Sequence, residues 1–325
     1  VDIPIETPLL PDIPSNVYNP DTEMDEEKEV VIDYDSIPGL TQGNKYAKQL
    51  VTEGSKNILF VGTDKVSGLY DTIGIMSIDK PNKKVKIIMI PRDLYVNYNL
   101  KVRHYIDKKA SEFKGYVNTN EYYKINSAHT IGAYMKYEGK FGTNSMSFLA
   151  DVIKEKFDIE VSDYMRVNTE GLVQMVDLFG GVSINVPYKM DYDDPFQDLS
   201  IHLEKGYKHL NGKEAEGFVR FRQGYDEEGK LLKYGDFERK KNQTAFIKAF
   251  IEQHGTVTNI NKLPGIINVL NKNLKHSIGV GDILTSYVGL AKDVVVDKYG
   301  IESTTVTGKD KKLNGLYYVV IDDDI

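Results

Sequence analysis

Apolar residues along this chain recur in two rhythms, and the way the rhythms alternate predicts its architecture. Three short runs come early: "NILFVGT" over 57–63, "TIGIMSID" over 72–79 and "KVKIIMIP" over 84–91. Each is strand-length and rich in β-branched residues, and "KPNKK" between the last two is a hairpin signal. Runs this continuously apolar predict central strands covered on both faces. The period then lengthens. Residues 121–137 and 144–157 space apolar positions three and four apart, with Met146, Leu149, Ile153 and Phe157 on one side, as a helix packed on a core requires. "DYMRVN" predicts a strand, "EGLVQMVDLFGG" a helix closed by Gly180 and Gly181, and "VSINVP" another strand. Residues 188–200 predict a Tyr/Asp-rich loop. "GDFERKKNQTAFIKAFIEQHG" predicts a long helix with Asp236 near its start and Gly255 past its end. Helices over about 259–273 and 280–295 and strands over about 299–306 and 316–321 complete the pattern. Strands interleaved with helices predict the α/β class, a three-layer αβα arrangement with a central mixed, mostly buried sheet flanked by helices.

Ahead of these elements neither period is sustained. Residues 1 to about 40 hold six of the 11 prolines and a run of acids, the composition of a stalk or linker. The expected division is a Pro-rich acidic stalk over 1–50 and one domain over 51–325. The longest apolar runs, such as "YYVVI" and "KIIMI", are strand-sized, far short of the roughly 18 residues a membrane span needs. The chain opens at Val1 without an initiator Met, so a signal or anchor helix is expected to have been removed upstream.

At 325 residues and 41% hydrophobic content the chain can bury a large core. The net charge of -7, from 41 basic and 48 acidic residues, argues against nucleic acid as a partner, so any anion site must be local. Without cysteine there are no disulfides, thiolate metal sites or Cys nucleophiles. The six histidines show no metal spacing, and neither a P-loop, a G-x-G-x-x-G nor a G-x-S-x-G occurs.

What remains is a set of cations and a pair of acids. In "VRFRQ", residues 219–223, an extended backbone would set Arg220 and Arg222 side by side, whereas a helix would turn them roughly 200° apart. Two guanidiniums on one face suit a doubly anionic ligand between them, so an extended segment is expected. Asp64 and Asp71, in "GTDKVSGLYDT", can share a hard cation such as Mg²⁺; aspartates also fill loops by bonding turn backbone. Arg92 follows a strand and either faces a ligand or pairs with Asp93; Lys124 in "YYKINSAH", taken by itself, reads as a solvated helix-face lysine. Arg239 and Gln243, four apart in the first turns of a helix, favour an anion through the dipole, or form an ordinary salt-bridged surface. Taken together, the set suits a phosphate ester or pyrophosphate with a bridging metal better than acyl or redox chemistry.

"NILFVGTD", "YDTIGIMSID", "KKVKIIMIPRDLYV", "YYKINSAH", "YMRVNTEGLVQMVDLFGGVSINVP", "LNGKEAEGFVRFRQ" and "GDFERKKNQTAFIKA" follow one another in the order and spacing of the LytR-CpsA-Psr family, and the chain resembles that family over 57 to about 250. The resemblance implies a phosphotransferase, membrane-anchored by an N-terminal helix absent from this chain and working outside the cytoplasm. Such enzymes move a glycopolymer from an undecaprenyl-pyrophosphate carrier to peptidoglycan, usually at the 6-hydroxyl of N-acetylmuramic acid, with Mg²⁺ and in its place Mn²⁺. It assigns Asp64 and Asp71 to the metal, with Asp71 also a base candidate. It assigns Arg92, Lys124, Arg220, Arg222, Arg239 and Gln243 to the pyrophosphate, with Asp64, Asp71, Arg92, Arg220 and Arg222 forming the catalytic set. Two further readings stand beside it: hydrolysis of the polyprenyl pyrophosphate, as main or side activity, and a non-catalytic receptor for the lipid or wall polymer. The chain departs from the family's R-S-D-T at Leu69, Tyr70 and Asp71, on a short loop from Asp64, and so has one cation fewer there.

Overall fold

The computed structural model describes residues 32–43, 45–63, 70–115, 117–226, 228–270, 272–279 and 286–321. At its centre a meander of β1 (Lys56–Thr63), β2 (Tyr70–Asp79) and β3 (Lys84–Ile90) runs antiparallel. β6 (Asp163–Asn168) lies parallel to β1, β13 (Leu274–His276) antiparallel outside β6, and β14 (Gly300–Thr305) parallel to β3. The order β13-β6-β1-β2-β3-β14 makes a mixed six-stranded sheet, as the sequence pattern predicts.

Alternation along the meander sends its apolar residues to both faces. Leu59 opposes Ile75, which opposes Ile88, and all three are fully buried. With Val61, Ile73 and Ile90 they meet α1 (Leu100–Glu112), α2 (Ala128–Tyr134) and α3 (Ser145–Phe157) through Val102, Ile106, Ile131, Leu149 and Ile153. On the other face Ile58, Ile78 and Val85 pack near Leu290 and Val294 of α8 (Val288–Val296). The three-layer expectation therefore holds. A second core gathers α4 (Thr169–Leu178), α5 (Gly212–Arg220) and α6 (Gly235–His254) with two hairpin-like pairs. These are β7 (Val182–Val186) with β10 (Gly206–Leu210), and β8 (Met190–Asp194) with β9 (Leu199–Leu203). Small peripheral pairs are β4 (Glu138–Gly139) with β5 (Gly142–Thr143), β11 (Gln223–Tyr225) with β12 (Leu231–Lys233), and β15 (Lys309–Leu313) with β16 (Leu316–Val320). α7 (Val257–Val269) occupies the predicted helix at 259–273.

Several expectations are corrected. Residues 219–223 are not a strand: α5 continues through Arg220, and extended backbone begins at Phe221 (φ -60°, ψ 124°). The deciding signal lies upstream, where Asn211 and Glu214 form a reciprocal capping box that starts a helix with Ala215, Phe218 and Val219 on its buried side. The expected loop at 188–200 is the β8–β9 hairpin, its inward side carrying Met190, Ile201 and Leu203. The helix expected over 121–137 is broken into short 3₁₀ turns followed by α2, and α1 was not anticipated because only Val102 and Ile106 on it are fully buried. α8 covers the later part of the helix expected at 280–295; residues 280–285 lie outside the described residues.

The compact fold also reaches further back than residue 51. Leu40 and Leu50 belong to the main core, and the Glu155 carboxylate accepts the backbone N–H of Leu40 at 3.0 Å and of Thr41 at 2.7 Å. The first 31 residues, most of the expected stalk, lie outside the described residues. Among the described residues no helix is long and apolar enough to cross a membrane.

Candidate active site

The sheet delivers its functional groups to one end. β1 and β6 are parallel neighbours, and their carboxyl ends supply Gly62, Thr63, Val167 and Asn168 to a cavity of about 440 Å³. Ligands favour this edge of an open sheet because loops, helix starts and strand ends converge there. Asn168 also caps α4, its side chain accepting the N–H of Gly171 at 2.8 Å, and so fixes the angle at which α4 leaves the cavity rim.

Strand alternation separates Tyr70 from Asp71. Tyr70 turns into the core, fully buried, with its hydroxyl 3.0 Å from Ser145 Oγ, and burial pushes its phenol above the ordinary range. Asp71 turns to the cavity. Tyr70, one of the positions where the chain departs from the family pattern, thus fills hydrophobic space and is not part of the cavity lining.

Around Asp71 four arginines line the same cavity: Arg92, Arg220, Arg222 and Arg239. Arg92 leaves the end of β3 and donates from Nη1 to Asp71 Oδ1 at 2.5 Å. Arg239, on the second turn of α6 and 6% exposed, brings Nη1 to 3.9 Å from the same oxygen. Arg220 ends α5, and Arg222 follows two residues later, beyond the extended Phe221. The turn that carries Arg222 is tied down by its carbonyl, which accepts the N–H groups of Tyr234 and Gly235 at 2.9 and 3.0 Å. Convergence of 220 and 222 therefore comes from a helix end and a turn, not from one strand face. Gln243 also lines the cavity and donates to the Val219 carbonyl at 3.2 Å, joining α6 to α5.

Two expected residues stand apart. Lys124 is absent from the cavity lining. It sits in extended backbone between 3₁₀ turns, not on a helix face, and pairs with Glu121 at 3.1 Å and Asp93 at 3.4 Å. Asp93 Oδ2 in turn lies 3.5 Å from Arg92 Nε, so Lys124 reaches the site through a carboxylate and an arginine. Backbone support comes from β16: Val319 donates to the Asp93 carbonyl and accepts from the Tyr95 N–H, both at 2.9 Å. Asp64 lies outside the described residues, as does the side chain of Asp236.

Sequence reasoning did not locate the apolar part of the cavity. Leu172, Leu199, Ile201, Val219 and Phe221 share its lining with the arginines, as does Phe196, which is 97% exposed. The signal was the alternation of "LSIHL" in β9.

Among the described lining residues, then, four guanidiniums face one carboxylate. Such a field draws a multiply charged anion, and planar forks match phosphate oxygens. No cluster of three or more metal-ligating side chains occurs among the described residues. A single carboxylate such as Asp71 is compatible with Mg²⁺, which takes few protein ligands and completes its shell with water and substrate oxygens.

Comparison with known proteins bears on the chain's family and fold. The sequence model of the LytR_cpsA_psr family matches residues 20–325. An uncharacterised protein of Staphylococcus aureus is 27% identical over 273 residues, 81% of this chain and 57% of that protein, so the chain spans little more than half of that relative. The polyisoprenyl-teichoic acid–peptidoglycan teichoic acid transferase TagV of Bacillus subtilis is 26% identical over 299 residues, 87% of this chain and 66% of that protein. The crystal structure of B. subtilis TagV superimposes with a TM-score of 0.58 at 24% identity, over 84% of this chain and 92% of that one, and so shares the fold. With a family match that takes in nearly the whole chain and the same fold in a solved relative, this protein belongs to the LytR_cpsA_psr family.

Proposed function

We propose that this protein is a phosphotransferase that moves a glycopolymer from an undecaprenyl-pyrophosphate carrier to peptidoglycan, at the 6-hydroxyl of N-acetylmuramic acid, outside the cytoplasm at the membrane. The observation that carries the proposal is one cavity lined both by four arginines and by apolar side chains, a combination that matches a lipid diphosphate: charged head, hydrocarbon tail. The similarity to TagV, a polyisoprenyl-teichoic acid–peptidoglycan teichoic acid transferase, supports the same chemistry.

In the proposed reaction the acceptor hydroxyl oxygen bonds to the sugar-proximal phosphorus, and the bond from that phosphorus to the bridging oxygen breaks. Undecaprenyl phosphate departs with the electron pair, and the hydroxyl proton is lost to solvent or a neighbouring base. Negative charge shifts onto the bridging and non-bridging oxygens, so catalysis rests on positioned cations. Arg220 and Arg222 would grip the diphosphate from one side, Arg92 and Arg239 from the other. Asp71 holds Arg92 in place, and with that oxygen engaged it suits anchoring better than proton abstraction. Mg²⁺, held by Asp71 and Asp64, would neutralise phosphate charge when bound. The apolar wall orients the leaving lipid.

The test is transfer from a synthetic polyprenyl-diphosphate-linked saccharide to a muramic acid-containing glycan. Arg220→Ala and Arg222→Ala should each remove product, with Arg222→Ala leaving the thermal transition in place; full activity in either refutes the clamp. EDTA should stop turnover and Mg²⁺ or Mn²⁺ restore it. Release of glycosyl phosphate without glycan product would mark the protein as a hydrolase, and binding without turnover as a receptor.

A further inference from the structure

Arg220 has a partner that the phosphotransfer reading does not use. Glu216, one turn earlier on α5, is only 2% exposed, and its Oε1 accepts from Arg220 Nη1 at 2.7 Å. Its Oε2 lies 3.1 Å from Lys213 Nζ at the solvent side, where the carboxylate raises the lysine pKa above its ordinary value. This is not a surface pair of the kind that contributes little. Ala215, Gly217, Phe218 and Val219 around it are buried as well, so packing alone would accept a leucine at 216. A buried charge is costly to desolvate and is often replaceable by an apolar residue without loss of stability, so a carboxylate here calls for a role other than packing.

The cavity supplies one. Four guanidiniums in a small volume repel each other, and each needs a counter-charge to hold its direction before any ligand arrives. Asp71 does this for Arg92, at 2.5 Å, and lies 3.9 Å from Arg239. Glu216 does it for Arg220 from outside the lining, gripping one edge of the fork from behind. The glutamate precedes the arginine by four residues, the favourable order for such a helical pair. We infer that Glu216 is a positioning residue for phosphoryl transfer: it never touches the substrate, and it sets the guanidinium of Arg220 at the angle needed to receive a diphosphate oxygen. The inference rests on the cavity being a diphosphate site.

A double-mutant cycle tests it. Inorganic pyrophosphate with Mg²⁺ is titrated calorimetrically into the wild type, Glu216→Gln, Arg220→Ala and the double variant, with thermal unfolding of each recorded alongside. Glutamine keeps the shape and one acceptor but removes the charge. The expected result is affinity roughly 10- to 100-fold lower in Glu216→Gln at an unfolding temperature near that of the wild type, and no further loss when Glu216→Gln is added to Arg220→Ala. Equal losses in both backgrounds, or none in either, overturn the positioning role. Should Glu216→Gln fail to fold, Glu216→Leu, which fills the same space, takes its place in the cycle; if neither folds, Glu216 serves stability and the inference falls. A wild type that binds no pyrophosphate overturns the diphosphate site itself, whereas a wild type that binds and a Glu216→Gln that binds equally overturn only the inference.

Discussion

Lys124 shows how a residue can serve this site without entering it. Its ammonium is shared between Glu121 and Asp93, and Asp93 leans on Arg92, whose other edge holds Asp71. The order is cation, anion, cation, anion, from the interior to the cavity. Removing the lysine leaves Asp93 free to draw Arg92 backward. Lys124→Ala should therefore lower kcat/KM about tenfold, the effect of losing one charged hydrogen bond of about 1.5 kcal/mol, without abolishing turnover as loss of Arg220 would. Steady-state kinetics decides: complete inactivity would mean that the ammonium touches substrate directly. At this scale the sequence was informative about which residue types gather, since Asp71, Arg92, Arg220, Arg222, Arg239 and Gln243 all line one cavity. It was silent on which cations are spoken for. Lys124 and Glu216 differ from cavity residues only through partners three or four positions away, or in Asp93, and single-residue spacing cannot show whether such a neighbour points inward.

Among elements, the long periodic ones were legible and the ambiguous short ones were not. β1, β2 and β3 carry enough β-branched residues on both faces for only a central sheet to suit them. "VRFRQ" alternates over five residues, too few to distinguish a strand from the last turn of a helix followed by a bend. The helix wins because its start is capped twice: Glu214 N–H to Asn211 Oδ1 at 3.0 Å and Asn211 N–H to Glu214 Oε2 at 2.9 Å. Asn211→Ala should destabilise the protein by about 1 kcal/mol, measured by urea unfolding, and loosen the arginine at the far end of the same helix. An unchanged midpoint would show that tertiary contacts alone hold α5. The β8–β9 hairpin escaped notice because Asp191, Tyr192 and Asp193 read as turn residues, although their strand lies over the second core.

Two of the three hydrophobic cores among the described residues carry the elements that line the cavity. One holds Asp71 and Arg92 at the sheet, the other Arg220, Arg222 and Arg239 on α5, α6 and the turn between them. Neither core alone forms the site. Ile75, fully buried at the centre of the first, is a probe of that dependence. Ile75→Ala should remove about 2–5 kcal/mol of stability and lower activity only through the fraction unfolded, so activity per folded molecule should stay constant. Calorimetry combined with active-site titration separates the two.

β16 gives this arrangement an unexpected terminus. The strand running to Val320 is stitched to the backbone on both sides of Leu94, through Val319 to Asp93 and Tyr95, within three residues of Arg92. A pull on β16 is thereby conveyed to Arg92, a guanidinium that lines the cavity. An immobilised protein should work best when held at a surface remote from β16.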